Sequence, residues 1–149
     1  MEKKPILPPT FFWMATIVSL LFHFFLPVRM LIPYPWSVAG FVLIVLGAAL
    51  NIWADQIFKR RGTTVKPFEQ PTTLVVDGPF AWSRHPMYLG MVAILIGISV
   101  ICGSISSFVG PMLFWIVARI RFIPAEERSM AEAFEEEYSA YKKKVHGWM

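Results

Sequence analysis

Apolar residues gather along this chain in runs set apart by polar or proline-marked breaks. The first run covers residues 10–26 and stops at Pro27; the second covers 36–54 and stays uncharged up to Asp55. Residues 87–118 form one uncharged stretch, broken near Cys102-Gly103-Ser104-Ile105-Ser106-Ser107. Each half of it is only about 15 residues, short of the roughly 20 that cross a bilayer core as a helix. Backbone in lipid must satisfy its hydrogen bonds internally, so this stretch predicts a tight hairpin of two short or tilted helices, 87–102 and 106–122. A buried hairpin that does not cross fully is the alternative. Beyond it the pattern changes. Met130, Phe134, Tyr138, Tyr141 and Val145 recur at spacings of 4, 4, 3 and 4, a single apolar stripe on a helix over 124–146. Glu126 and Glu127 in its first turn, and Lys142, Lys143 and Lys144 in its last, match the helix dipole at both ends. The stripe must lie on the membrane surface or on the rest of the protein.

Composition agrees with the pattern. The chain is 56% hydrophobic and 16% charged over 149 residues, with mean hydropathy +0.54. That describes one all-α integral membrane domain rather than a soluble globule. The net charge of +4 raises the question of nucleic acid. The basic residues cluster beside apolar runs instead, as membrane topology and anionic headgroups require, and no nucleic-acid partner is expected. Of the 14 lysines and arginines only Arg29 falls between the first and second runs, and none falls in the turn between the two hairpin helices. The others, from Lys3 and Lys4 through Lys59, Arg60, Arg61, Lys66 and Arg84 to the C-terminal group, share one side if four helices span. The positive-inside rule then predicts a multi-pass protein of the cell inner membrane, with both termini and the loop 55–86 cytoplasmic. No small-residue cleavage site follows the basic N-terminus, so the first apolar run is expected to be a retained helix. Cys102 is the single cysteine, which excludes an internal disulfide and a paired-thiolate metal site.

Charge and aromatic groups concentrate in loop 55–86 and at the entry to the third apolar run. The loop holds Pro67, Pro71, Pro79 and Pro86, a possible extended piece at Thr72-Thr73-Leu74-Val75-Val76, and turn chemistry at Asp77-Gly78-Pro79. Roughly 30 residues without helical periodicity is long for so small a domain, and such loops tend to be functional. Phe68, Phe80 and Trp82 argue against a plain linker. Residues 78–90 then bring Arg84, His85, Tyr88 and Gly90 to a membrane boundary. Pro86 at a first helical position is ordinary, and Arg84, Trp82 and Tyr88 would also serve as interfacial anchors. His85 has no particular merit as an anchor. The predicted topology places Glu126 and Glu127 at the same membrane face. Carboxylates, an imidazole, a phenol and aromatic faces suit a polar, partly cationic ligand, because aromatic rings attract sulfonium or ammonium groups.

Arg84-His85-Pro86-Met87-Tyr88-Leu89-Gly90, followed after an apolar hairpin by Glu126-Glu127 and then by Phe134, Tyr138 and Tyr141, resembles the isoprenylcysteine carboxyl methyltransferase family. Phospholipid N-methyltransferase-like membrane enzymes belong to the wider group. The resemblance covers roughly the last 90 residues, from Thr64 onward; the combined motif is specific, whereas either half alone is weak. It implies S-adenosylmethionine bound on the cytoplasmic side between loop, hairpin and C-terminal helix. The family's cofactor contacts fall on His85, Pro86, Met87 and Tyr88, with Gly90 beside them, on Thr72, Thr73, Leu74, Val75 and Phe80 in the loop, and on Glu126. Phe80 stands where the family usually has tyrosine. The arginine that faces the methyl acceptor falls on Arg121, with Arg119 the neighbouring alternative. Arg84 and Glu127 complete the candidate catalytic set.

The implied reaction is a direct displacement of methyl from a sulfonium, which depends on holding the nucleophile about 3 Å away and in line while excluding water. It needs neither a metal nor a covalent nucleophile. A carboxylate acceptor would be oriented by Arg121; an amine acceptor needs a base, for which His85 and Glu127 are candidates; a thiol is the third acceptor the sequence leaves open. The expected partners are the lipid bilayer and a lipophilic small-molecule acceptor, with no obligate protein partner. Two other readings remain. A scaffold or transporter subunit would place ionisable groups near the midplane, where only His23 lies. A nicotinamide-dependent membrane reductase of the same C-terminal fold usually has more spans.

Overall fold

The computed structural model describes residues 7–63 and 72–147. Lys3, Lys4, Lys66, Pro67, Phe68 and Pro71 lie outside them. The described residues are helical throughout their regular structure. Helix α1 (Pro8–Phe25) starts on a proline, whose missing N–H costs nothing there, and ends ahead of Pro27. A short 3-10 turn at Trp36–Val38 leads into α2 (Ala39–Arg61). This helix runs seven residues past the apolar stretch, into what the sequence pattern assigns to the loop. Its extension is held by a Lys59–Asp55 pair at 2.6 Å, by Lys59, Arg60 and Arg61 against the C-terminal dipole, and by Gly62 in the left-handed conformation at φ +64°.

After a 3-10 turn at Gly78–Ala81, α3 (Pro86–Cys102) opens on Pro86 and closes on Gly103 at φ +72°. A second 3-10 turn (Ile105–Phe108) starts α4 (Val109–Val117), which passes through a π-helical turn (Ala118–Phe122) directly into α5 (Ile123–Lys144). The sequence predicts a break before Pro124, and none occurs. Proline removes one donor from the helical ladder, and the π turn absorbs the mismatch, with Ile123 N–H reaching Ala118 O. Three helical runs are long and apolar enough to cross a membrane: Pro8–Phe25, Trp36–Arg61 and Ile105–Lys144. The apolar α3 is shorter, at 17 residues.

The helices pack through small residues. In lipid, close backbone approach replaces hydrophobic burial as the source of helix association. Gly40 of α2 meets Gly97 of α3, and Gly47 meets Gly90. A Cβ at Gly97 would stand 2.6 Å from Gly40 O, and one at Gly47 would stand 2.5 Å from Gly90 O. Helix α1 pairs with α4 in the same manner, with Ala15 and the fully buried Ser19 against Gly110. The serines of the α3–α4 turn satisfy the backbone that the turn would otherwise strand. Ser99 Oγ donates to Ser107 O at 2.9 Å, and Ser107 Oγ donates to Ser104 O at 2.6 Å. His23 Nδ1 lies 2.8 Å from Ser104 Oγ, so this histidine is a packing residue with a partner.

The C-terminal stripe is not continuous. At Glu135 the backbone turns to φ +38°, ψ −109°, splitting α5 into two arms. The second arm folds back, so Tyr138, Tyr141 and Val145 bury themselves against Met130 and Phe134 of the first arm and Leu74 of the loop. Of the two surfaces open to the stripe, the protein is the one it covers.

Candidate functional site

The fold brings the two halves of the sequence motif into contact. His85 caps α3 from the loop side, Tyr88 lies on the first turn of α3, and Glu126 closes the first turn of α5 with Glu127 directly after it. Tyr88 OH donates to Glu126 Oε1 at 2.6 Å. His85 sits between the two carboxylates, with Nδ1 3.5 Å from Glu126 Oε2 and Nε2 3.4 Å from Glu127 Oε1. Arg84 donates to Glu127 Oε1 twice, from Nε at 3.1 Å and from Nη2 at 2.6 Å. Lys142 Nζ donates to Glu127 Oε2 at 2.7 Å. Charge-assisted bonds of this kind are about twice as strong as neutral ones.

The electrostatics separate the two carboxylates. Glu127 is held well below the usual carboxylate range, first by the hydrogen bond with His85; burial opposes this, and Lys142 and Arg84 reinforce it. Burial works against a charged His85, but the hydrogen bonds to Glu126 and Glu127 prevail and raise its pKa above 6.5. Glu127 is therefore committed to Arg84, Lys142 and the His85 imidazole. Glu126, which accepts from one phenol and meets one imidazole, keeps acceptor capacity to spare.

Tyr88 also joins this polar cluster to an aromatic one. Its ring stacks on Phe122 at 6.4 Å and tilts against Phe114 at 6.5 Å. Phe11 and Phe12 of α1 meet Phe122 and Phe114 edge-on at 5.4 and 6.3 Å. The site thus has a charged end and an apolar end, and α1 closes the apolar one.

Residues singled out in the sequence do not all meet here. Val75, Phe80 and Met87 form a separate cluster with Ala54, Ile57 and Phe58, in which Phe80 packs edge-on to Phe58 at 5.0 Å. Pro86 is fully buried, and Gly90 faces Gly47 and Asn51 of α2 rather than open space. Thr72 is exposed, its N–H bonded to Thr63 Oγ1 at 3.3 Å, and Thr73 is half-buried. Leu74 lines a groove of about 470 Å³ between residues 74–81 and the second arm of α5, walled by Val76, Tyr141 and Val145 and rimmed by Glu137 and Lys144. Arg121 is exposed on the π turn and makes no ion pair or hydrogen bond among the described residues. Arg119 lies over the Trp115 ring at 5.4 Å.

Several participants were not signalled. Lys142 reads in the sequence as a helix-end charge, and Tyr141, whose OH donates to Phe80 O at 2.6 Å, reads as part of a stripe. Asn51 was legible as a lone amide in an apolar run; its Oδ1 is buried beside Gly90 with no partner among the described residues.

A helical membrane fold with this paired motif defines a class before any individual relative is considered. The phospholipid methyltransferase family model matches residues 36–137, and the chain belongs to that family. Individual relatives narrow the comparison. The protein-S-isoprenylcysteine O-methyltransferase of Rattus norvegicus is 35% identical over 112 residues, covering 73% of this chain and 39% of the relative. The protein of the same description from Saccharomyces cerevisiae is 32% identical over 114 residues, covering 73% of this chain and 46% of the relative. The chain thus spans less than half the length of these curated relatives. The similarity to isoprenylcysteine methyltransferases read from Arg84 to Gly90 and from Glu126-Glu127 is shown by these matches. No solved structure matches the chain significantly.

Proposed function

We propose that this chain is an integral membrane methyltransferase that uses S-adenosylmethionine and transfers methyl to the carboxylate of a lipid-like or isoprenoid acceptor. In this reading four helices span the cell inner membrane, the site faces the cytoplasm, and the second arm of α5 lies on the protein at that face. The observation that carries it is the Tyr88–Glu126–His85–Glu127–Arg84 network, which unites the two motif halves at one end of the bundle.

The residues present suit the cofactor. Glu126 has acceptor capacity for hydroxyls or an ammonium, and the Tyr88 ring beside it is an aromatic group of the kind that attracts a sulfonium. Leu74 and Val76 give the groove apolar walls for a nucleoside. When bound, the cofactor supplies an activated methyl group. The protein's part is to bind, orient and exclude water. His85, Tyr88 and Glu126 would hold the cofactor, and Phe11, Phe12, Phe114 and Phe122 keep the apolar end dry. Arg121, exposed and without an ion-pair partner among the described residues, would orient the acceptor's carboxylate.

The choice of carboxylate over amine follows from proton inventory. An amine must lose a proton, so its methylation needs a base. His85 is engaged between Glu126 and Glu127, and Glu127 is occupied by Arg84 and Lys142. Neither candidate base is free. A carboxylate needs none.

The test is a labelled-methyl transfer assay with purified protein on prenylated cysteine acids, fatty acids and phosphatidylethanolamine. We expect base-labile ester label on an acid substrate. Label confined to phosphatidylethanolamine would contradict the carboxylate assignment, and no transfer to any lipid would contradict the methyltransferase reading. Arg121→Ala is expected to leave cofactor binding nearly intact while abolishing transfer; equal loss of both would move Arg121 into the cofactor site.

A further inference from the structure

The second arm of α5 returns to the site it left, and the bonds that hold it there are of two strengths. In an uninterrupted helix Glu127 and Lys142 would stand about 22 Å apart along the axis, at 1.5 Å per residue. Here Lys142 Nζ is 2.7 Å from Glu127 Oε2. The reversal takes place at Glu135, a non-glycine residue at positive φ. Beyond it, Arg84 gathers the returning backbone. Its Nη1 donates to Val145 O at 2.6 Å and to Lys142 O at 3.3 Å, and its own N–H donates to His146 O at 3.0 Å. Ser83 Oγ donates to Gly147 O at 3.1 Å. These contacts are largely sheltered, with the Arg84 side chain 11% exposed, whereas Lys142 is half-exposed. The family match ends at residue 137, so nearly the whole returning arm lies beyond it.

We propose that residues 136–147 form a clasp, hinged at Glu135 and held shut over Glu127 by Arg84 and Lys142, which opens to admit and release the adenosyl cofactor. Arg84 and Lys142 are then positioning residues: the Arg84 donors go to Glu127 and to the clasp, its backbone and the Tyr138 side chain, and none is aimed at an acceptor. Glu127 is the anchor on which both cations close. What passes the clasp rests on the cofactor reading given above; the clasp's existence does not.

Hydrogen exchange of the full chain in lipid nanodiscs tests this, followed over amides 136–147 with and without S-adenosylhomocysteine. Slow exchange is expected in the wild type, slower still with ligand. Lys142→Met should speed it about threefold, the scale of a half-exposed ion pair, and Lys142→Arg should restore it. Glu135→Pro cannot adopt positive φ and should speed exchange at least tenfold, whereas Glu135→Gly should not, because glycine accepts that backbone. Lys142→Met should also hasten dissociation of S-adenosylhomocysteine by about the same factor. Unchanged exchange in Lys142→Met and Glu135→Pro, or fast exchange in Glu135→Gly, overturns the clasp. Altered exchange with an unchanged dissociation rate overturns its gating role. A wild type that binds no S-adenosylhomocysteine overturns the cofactor reading instead, and does so by absent binding rather than by altered exchange.

Discussion

Tyr88 and Glu126 show how a single bond ties the packed aromatic cluster to the polar one. The phenol spans the boundary between the aromatic cluster and the carboxylates, and its 2.6 Å bond fixes the Glu126 side chain. Tyr88→Phe keeps the ring contacts and removes that bond, which should weaken cofactor binding by roughly tenfold or more, as a hydrogen bond to a charged group is worth about 1.5 to 3 kcal/mol. Calorimetry would read this directly. The pH dependence of stability follows from the same cluster. His85 has a raised pKa, so its contribution is complete below 6.5 and is lost as pH rises through the elevated value. Glu127 has a lowered pKa, so its contribution is complete above 4.5 and is lost only as pH falls well below that. Thermal unfolding should therefore show a plateau between those limits and a decline on the alkaline side, which His85→Gln should flatten. An alkaline limb that survives the substitution would assign it elsewhere. At this scale much was legible: residue types and order alone picked out Arg84, His85, Tyr88, Glu126 and Glu127. Lys142 was not, because its role depends on one backbone reversal at Glu135 that residue identity does not announce.

Among the elements, the glycine pairs of α2 and α3 are the feature that sequence pattern undersold. Ala93 and Gly97 stand out as a small-residue pair within α3, yet the working register is Gly40 with Gly97 and Gly47 with Gly90, seven residues apart on each helix. Such a register is visible only once two particular helices are known to be neighbours. Gly47→Val would drive side-chain atoms into the Gly90 carbonyl, and backbone cannot yield as a side-chain tip can. A loss of about 2 kcal/mol or more is expected, measurable as a lowered midpoint in denaturant titration from mixed micelles. An unchanged midpoint would mean that α2 and α3 are not in this contact. Helix extents were legible where polarity changes abruptly, as at Pro27 and Gly103. They were less so at Arg61, where salt bridge and dipole carry a helix past its apolar run, and at Pro124, where a π turn lets the helix continue.

Seen whole, the described residues form a helical set with three runs long and apolar enough to cross a membrane. The arrangement proposed here puts Arg29 alone on the far side, opposite Arg84 and Glu127. Single cysteines placed at Arg29 and at Glu132 in a Cys102→Ser background should react with an impermeant maleimide from opposite faces of inner-membrane vesicles; labelling from the same face would remove the four-span topology. Broad class was readable from hydrophobic runs, since lipid leaves few structural options. The pairing of α1 with α4 and α2 with α3 was not, because small-residue contacts and not hydrophobicity decide it. The central claim is that the network around Glu126 holds an adenosyl cofactor. Calorimetric titration of the purified protein in lipid nanodiscs with S-adenosylmethionine tests it most directly. Saturable binding at a single site is predicted, weakened roughly tenfold or more by His85→Ala and by Glu126→Ala. Absence of binding by the wild type, or equal binding by all three proteins, would contradict it.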